Sequence, residues 1–243
     1  MRIFLDTSDV DVIRQHCETG LIDGVTTNPT LMMQAGRNPM EVINDISSLF
    51  PQPARKSSFP TTSISAEVVG DTADEMVSQA KDYYSISKNI TIKVPCTVEG
   101  LKACAILYGM EFDRADRIRV NVTLIFSVEQ AILAKKAGAR YVSPFIGRCE
   151  DNNIDGIKLI ESIDIAFNRM ERMKNLDSRY SYEPDCLILA ASIRNVSQVG
   201  QAALAGADIV TLPPSIFEEM YKHDLTDQGL AQFDKDWKKV NHK

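Results

Sequence analysis

Three runs of this chain place a polar side chain at every second position. Ser63, Ser65 and Glu67 alternate with Ile64, Ala66 and Val68; Asn89, Thr91 and Lys93 alternate with Ile90, Ile92 and Val94; Arg119, Asn121 and Thr123 alternate with Ile118, Val120 and Val122. Residues two apart on an extended strand share a face, so each run has one apolar and one polar side. Glu67, Lys93 and Thr123 stand near the C-terminal ends of the polar sides. Lys93 is the most informative. A lysine with a pKa of about 10.4 is neutral in roughly one molecule per thousand at physiological pH. Burial disfavours the cation and frees a nucleophilic amine. Ile92, Val94 and Pro95 around it read as a strand tip; if the amine points inward, Schiff-base chemistry with a carbonyl substrate is its natural use. Glu67 would shuttle protons and Thr123 would hold a relaying water. Asp6 and Asn28 occupy corresponding positions on two earlier β-branched runs.

An anion site is visible separately. Arg148 ends Ser143-Pro144-Phe145-Ile146-Gly147-Arg148, and Arg194 ends Ala190-Ala191-Ser192-Ile193-Arg194, where a helix should begin. Two guanidinium forks, a serine hydroxyl and a helix N-terminus suit a phosphate. His16, His223 and His242 have no ligand spacing, so no metal site is expected; no cofactor is expected either. Cys96 lacks a nearby histidine and reads as a buried structural thiol, and Met32 and Met33 read as packing residues.

The elements that must position these groups alternate in kind. Strands are predicted at Ile3–Asp6, Gly24–Thr27, Ser63–Val69, Asn89–Val94, Ile118–Leu124, Arg140–Pro144, Leu187–Ser192 and Asp208–Leu212, with amphipathic stretches between them. Thr72-Ala73-Asp74-Glu75 and Ser127-Val128-Glu129-Gln130 fit the capping box that starts a helix. An antiparallel sheet with one wet face would show the same alternation, but intervening helices favour a parallel sheet whose apolar face they cover. Eight strand–helix units predict an α/β fold, a single (β/α)8 barrel over residues 1–243. A doubly wound open sheet is the alternative, although no GxGxxG follows any strand. Barrel enzymes place their chemistry at the C-terminal ends of the strands, where Lys93 and Glu67 stand. Phe50–Pro60 and Lys174–Pro184 read as surface loops. Within 224–243, Leu230, Phe233, Trp237 and Val240 form an apolar stripe on a final helix that either closes its own barrel or docks on a neighbouring subunit.

The 243 residues are close to the roughly 250 typical of one such barrel. With 44% hydrophobic residues the chain is not a disordered one. Lys and Arg number 27 against 33 Asp and Glu, a formal charge of −6, which argues against general nucleic-acid binding. Five cysteines without a CxxC spacing fit a reducing cytoplasm. Asp6 comes too early for a signal peptide, and no apolar run approaches the roughly 20 residues that span a bilayer.

Taken in order, these residues resemble the short transaldolases. The resemblance rests on Phe4-Leu5-Asp6-Thr7, Gly24-Val25-Thr26-Thr27-Asn28-Pro29, Ile92-Lys93-Val94-Pro95, Asn121 to Ser127, Tyr141 to Arg148, Ala190 to Arg194, and Leu225 to Leu230 leading to Asp236-Trp237. It spans residues 3 to about 240. It implies a barrel that transfers a dihydroxyacetone unit between sugar phosphates, a step of the pentose phosphate pathway, with Lys93 as the Schiff-base lysine. Asp6 would take the proton from the hydroxyl beside the carbon–carbon bond that breaks. Glu67 and Thr123 would handle protons with a water. Thr26, Asn28, Asn121, Ser143 and Phe145 would line the dihydroxyacetone site, and Arg148, Ser192 and Arg194 would grip the phosphate. It also implies homo-oligomers, pentamer-based rings or decamers, with the last helix crossing to a neighbour.

The related fructose 6-phosphate aldolases carry Gln where Glu67 stands and Tyr where Phe145 stands, and both choices here resemble a transaldolase. A tyrosine hydroxyl could help protonate the enamine and release dihydroxyacetone; Phe145 cannot. Asn195 departs from a common histidine, and the Pro51–Pro60 loop is longer than the short pattern. The alternatives to a transaldolase are therefore a fructose 6-phosphate aldolase and, from a different class, a non-catalytic sugar-phosphate-binding barrel.

Overall fold

β1 (Arg2–Asp6) pairs in parallel with β2 (Gly24–Thr26) on one side and with β8 (Ile209–Leu212) on the other. Between them β3 (Ser63–Glu67), β4 (Ile90–Pro95), β5 (Arg119–Ile125), β6 (Tyr141–Pro144) and β7 (Leu187–Ala190) complete a closed barrel in sequence order. The β1–β8 pairing excludes the open doubly wound sheet. The computed structural model describes residues 1–51, 62–110, 117–176 and 185–240.

Helices follow each strand because the sequence stops and starts them. α1 (Val10–Cys17) is capped by Asp9, α2 (Pro29–Ala35) by Asn28 and α3 (Pro39–Ser48) by Asn38. α4 (Ala73–Ile86) begins with the predicted capping box, both halves formed by Thr72 and Glu75. α5 (Val98–Gly109) is capped by Thr97. The box predicted at α6 (Val128–Lys136) is only half formed: Ser127 accepts from the Gln130 amide, but the Gln130 side chain accepts from the Phe126 amide instead. A short α7 (Ile146–Glu150) and a long α8 (Gly156–Leu176) follow β6. α8 runs through Leu176, so Lys174 to Leu176 are helical rather than loop; the remainder of that predicted loop, and residues 52–60 of the earlier one, lie outside the described residues. α9 (Val196–Leu204) and α10 (Pro214–Glu219) flank β8.

The strands turn Val25, Ile64, Ile92, Val120, Val142 and Val210 outward into one apolar layer with the helices. Each fully buried aliphatic side chain contributes roughly 1.5–3 kcal/mol. The opposite faces point inward, as the alternation predicts. Ser63, Ser65, Thr91, Asn121, Thr123 and Ser143 are buried polar residues of that interior. Phe4, Tyr141, Leu189 and Ile209 form a separate apolar cluster inside the barrel. Gly24 admits this plug, because a Cβ there would lie 2.8 Å from the Phe4 ring and 2.3 Å from the Ser63 carbonyl oxygen.

The last helix, α11 (Asp224–Val240), has no buried residue. Phe233 and Trp237 are 72% and 66% exposed, with Leu225, Leu230 and Val240 similarly open. It therefore does not bury its stripe on its own barrel. Among the described residues no helix is long and apolar enough to cross a membrane.

Candidate active site

Lys93 pairs across the sheet with Glu67 on β3 and Asn121 on β5, so the three side chains share the inner face. Lys93 Nζ lies 2.9 Å from Glu67 Oε2 and donates to the Thr27 carbonyl oxygen at 3.1 Å. The amine is 5% exposed as a residue, which bears out the inward orientation. Burial is not its whole environment, however, since a carboxylate sits directly against it.

Beside the amine is a cavity of about 140 Å³ lined by Asp6, Thr26, Asn28, Lys93, Ser143, Phe145, Arg148 and Ser192, eight of the twelve residues picked from sequence. Leu189, Ala191 and Thr211 complete its wall. Thr211 was not singled out from sequence; the signal available was its place as the one polar residue of Ile209–Leu212, on the inward side. Thr26 donates to Asp6 Oδ1 at 2.7 Å and lies 2.6 Å from the Thr211 hydroxyl. Burial pushes the Asp6 carboxyl above the ordinary carboxylate range, while the Lys93 charge and the Thr26 hydrogen bond pull it back.

The other four picks, Glu67, Asn121, Thr123 and Arg194, are off this wall; Glu67 borders a neighbouring cavity with Thr27, Asn28 and Ala66. Asn121 is not on the cavity wall: its Oδ1 accepts from Ser143 at 2.7 Å and its Nδ2 approaches Ser65 at 3.4 Å, so it stands behind Ser143 and orients it. Asn28 does reach the cavity, but its Oδ1 caps α2 through the Leu31 amide at 3.0 Å, leaving Nδ2 for a ligand. Thr123 is buried and its Oγ1 has no hydrogen-bond partner among the described residues. A register shift between Val122 and Ile125, with Leu124 at φ 61°, interrupts β5 beside it. Such left-handed backbone costs a non-glycine residue about 1–2 kcal/mol.

The anion corner contains another such residue, Ser192, also at φ 61°. The Gly147 amide donates to the Ser192 carbonyl at 3.0 Å, a close approach that a Cβ at Gly147 would block at 2.4 Å. Arg148 enters the cavity with its guanidinium carbon 4.9 Å from the Phe145 ring centre. Arg194 is not on the wall: it ion-pairs with Asp151 at 2.6 Å, with 55% of its side chain exposed. The predicted helix start at α9 is already served in part, because Asn195 accepts from the Gln198 amide and Gln198 accepts from the Arg194 amide. Cys96 is half-buried, its thiol pushed up by burial, and Met33 is exposed instead of packed.

A closed parallel eight-stranded barrel with helices between its strands, and a buried lysine, two carboxylates and an arginine at the C-terminal ends of those strands, belongs to the class of (β/α)8 barrels. Solved structures similar to it share that fold: 3-hexulose-6-phosphate synthase (TM-score 0.60, 14% identity, 90% of this chain and 92% of that one) and a putative fructose-1,6-biphosphate aldolase from Coccidioides immitis (TM-score 0.55, 13% identity, 90% and 75%). The model of the Transaldolase/Fructose-6-phosphate aldolase family matches residues 3–243. The chain is 47% identical to a probable transaldolase of Caulobacter vibrioides, over 98% of this chain and 96% of that protein. It is 45% identical to one of Symbiobacterium thermophilum, over 98% and 97%. The chain belongs to the transaldolase/fructose-6-phosphate aldolase family.

Proposed function

We propose that the protein is a transaldolase that reversibly converts sedoheptulose 7-phosphate and glyceraldehyde 3-phosphate to erythrose 4-phosphate and fructose 6-phosphate, carrying the dihydroxyacetone unit as a Schiff base on Lys93. The observation that supports this reading most is a buried amine flanked by the carboxylates of Glu67 and Asp6 at a cavity that also holds Arg148. Glu67, 2.9 Å from Nζ, takes the ammonium proton, and the neutral amine attacks the ketone carbonyl. The carbonyl oxygen leaves as water, with its protons supplied through Glu67 and a water on the Thr123 hydroxyl, which has no partner among the described residues. Asp6 then accepts the proton of the hydroxyl beside the breaking bond; the aldehyde departs and an enamine stays on Lys93. Asn28 Nδ2 and Ser143, the latter oriented by Asn121, hold dihydroxyacetone hydroxyls, with Thr26 holding Asp6. Arg148 and Ser192 receive the phosphate, and Arg194 joins them on leaving Asp151.

Phe145 on the cavity wall has no O–H to protonate the enamine carbon, so the intermediate waits for an aldehyde acceptor. This favours transfer over the release of free dihydroxyacetone by an aldolase. Incubation with fructose 6-phosphate and borohydride is expected to leave a reduced adduct on Lys93 by mass spectrometry; absence of that adduct sinks the reading. Turnover should depend on added erythrose 4-phosphate or glyceraldehyde 3-phosphate, and release of dihydroxyacetone without an acceptor would make the protein an aldolase.

The open stripe of α11 supports a homo-oligomer in which this helix docks on a neighbouring copy. Phe233→Glu with Trp237→Glu should lower the mass measured by light scattering; an unchanged mass would refute that assembly. Five free cysteines accord with a cytoplasmic setting.

A further inference from the structure

We propose that Thr211 is a positioning residue that acts through Thr26 to keep the Asp6 carboxylate ionised and aimed for carbon–carbon bond cleavage, an inference that rests on the transaldolase reading above. Thr211 lies on β8, is 3% exposed and borders the cavity. Its hydroxyl is 2.6 Å from that of Thr26 on β2, and Thr26 in turn is 2.7 Å from Asp6 Oδ1 on β1. A hydroxyl has one proton to donate. Thr26 gives its proton to the carboxylate, so Thr211 is the donor in the remaining contact and the chain runs from Thr211 to Thr26 to Asp6. The barrel seam creates this chain, since only β1–β8 closure brings β8 to the flank of β1.

Donors in series polarise one another, so the outer hydroxyl strengthens a bond it does not touch. The charged groups facing Asp6 are Lys93 from β4, with Glu67 from β3 paired to it, and Arg148 from α7 across the cavity. Burial works against the Asp6 anion, and the Lys93 charge and the Thr26 hydrogen bond oppose that effect. Weakening the Thr26 bond therefore raises the pH at which Asp6 can accept a proton.

Thr211→Val replaces the hydroxyl by a methyl of similar size, and Thr211→Ser restores the hydroxyl without the methyl. In the acceptor-dependent assay Thr211→Val should lower kcat about five- to tenfold, roughly the worth of one buried hydrogen bond, with KM within about twofold of the parent. Its acidic limb of kcat should move to higher pH, and Thr211→Ser should bring both back. Borohydride trapping of dihydroxyacetone on Lys93, which needs no bond cleavage, should be undiminished in both variants. An unmoved acidic limb, or a raised KM at unchanged kcat, overturns the proposal. If the valine variant does not fold, Thr211→Ala reads the same limb with the same two outcomes. No trapped adduct in the parent protein would instead overturn the Schiff-base reading, and this one with it.

Discussion

Two cations are buried inside the strand cylinder, one toward each end, and they are satisfied in opposite ways. Arg119, at the start of β5, donates to the carbonyl oxygens of Thr62, Lys88 and Asn89 at 3.0, 3.2 and 2.8 Å. Those acceptors are backbone atoms that neither titrate nor move away, and the Tyr141 phenol, a kind of group that keeps its proton far above neutral pH, adds a further hydrogen bond. Lys93, at the other end, has a single carbonyl, a titratable carboxylate and an adjoining cavity. Burial alone therefore does not mark a reactive group. What distinguishes Lys93 is a partner able to take its proton and room for a molecule beside it.

Lys93→Met is the sharpest way to break this contrast. It should lower the proposed transaldolase activity by at least about a thousandfold, since Lys93 is the one amine among the residues lining the cavity, while circular dichroism shows a folded barrel. Arg119→Met should do the reverse. Three carbonyls, one of them part-buried and one still held by the Ile64 amide, lose a charged donor, which should cost about 3–5 kcal/mol in denaturant unfolding with kcat per folded molecule unchanged.

Asp6→Asn should separate activity from stability. Loss of the proton acceptor should lower kcat about a hundredfold, yet the variant should be more stable at neutral pH. The folded-state pKa of Asp6 is raised by burial, so folding favours the protonated form. The stability this gives is present below the ordinary carboxylate range and lost as pH rises through the raised folded value. The gain from Asn should accordingly vanish in acid, as chemical unfolding at two pH values would show. Smallest is Ser192→Gly, which relieves the left-handed backbone at φ 61°. It should stabilise by up to about 1 kcal/mol and raise KM for phosphorylated donors a few-fold by removing the hydroxyl.

Period-two alternation made three strands, β3 to β5, their inward faces and the Lys93–Glu67 neighbourhood legible, because pleat and register leave a strand residue few places to point, while short β-branched and apolar runs between amphipathic stretches marked the other five. Reach was not legible. Asn121 and Arg194 occupy plausible positions, but each ends on another side chain, Ser143 and Asp151, and nothing in a one-dimensional pattern says which acceptor a long or branched group will find. Asn28 serves a helix cap as well as the cavity, a double use invisible without coordinates. Thr211 was hidden for the opposite reason: Ile209–Leu212 holds one polar residue and so shows no alternation. The break in β5 at Leu124 escaped because its sequence reads as uninterrupted strand.

The apolar plug of Phe4, Tyr141, Leu189 and Ile209 bears on the order of events. A chamber stoppered from below has no exit at its floor, so in the proposed transfer both aldehydes come and go at the upper rim. The departing one must clear that shared threshold before its replacement arrives, which makes strict turn-taking a property of the architecture.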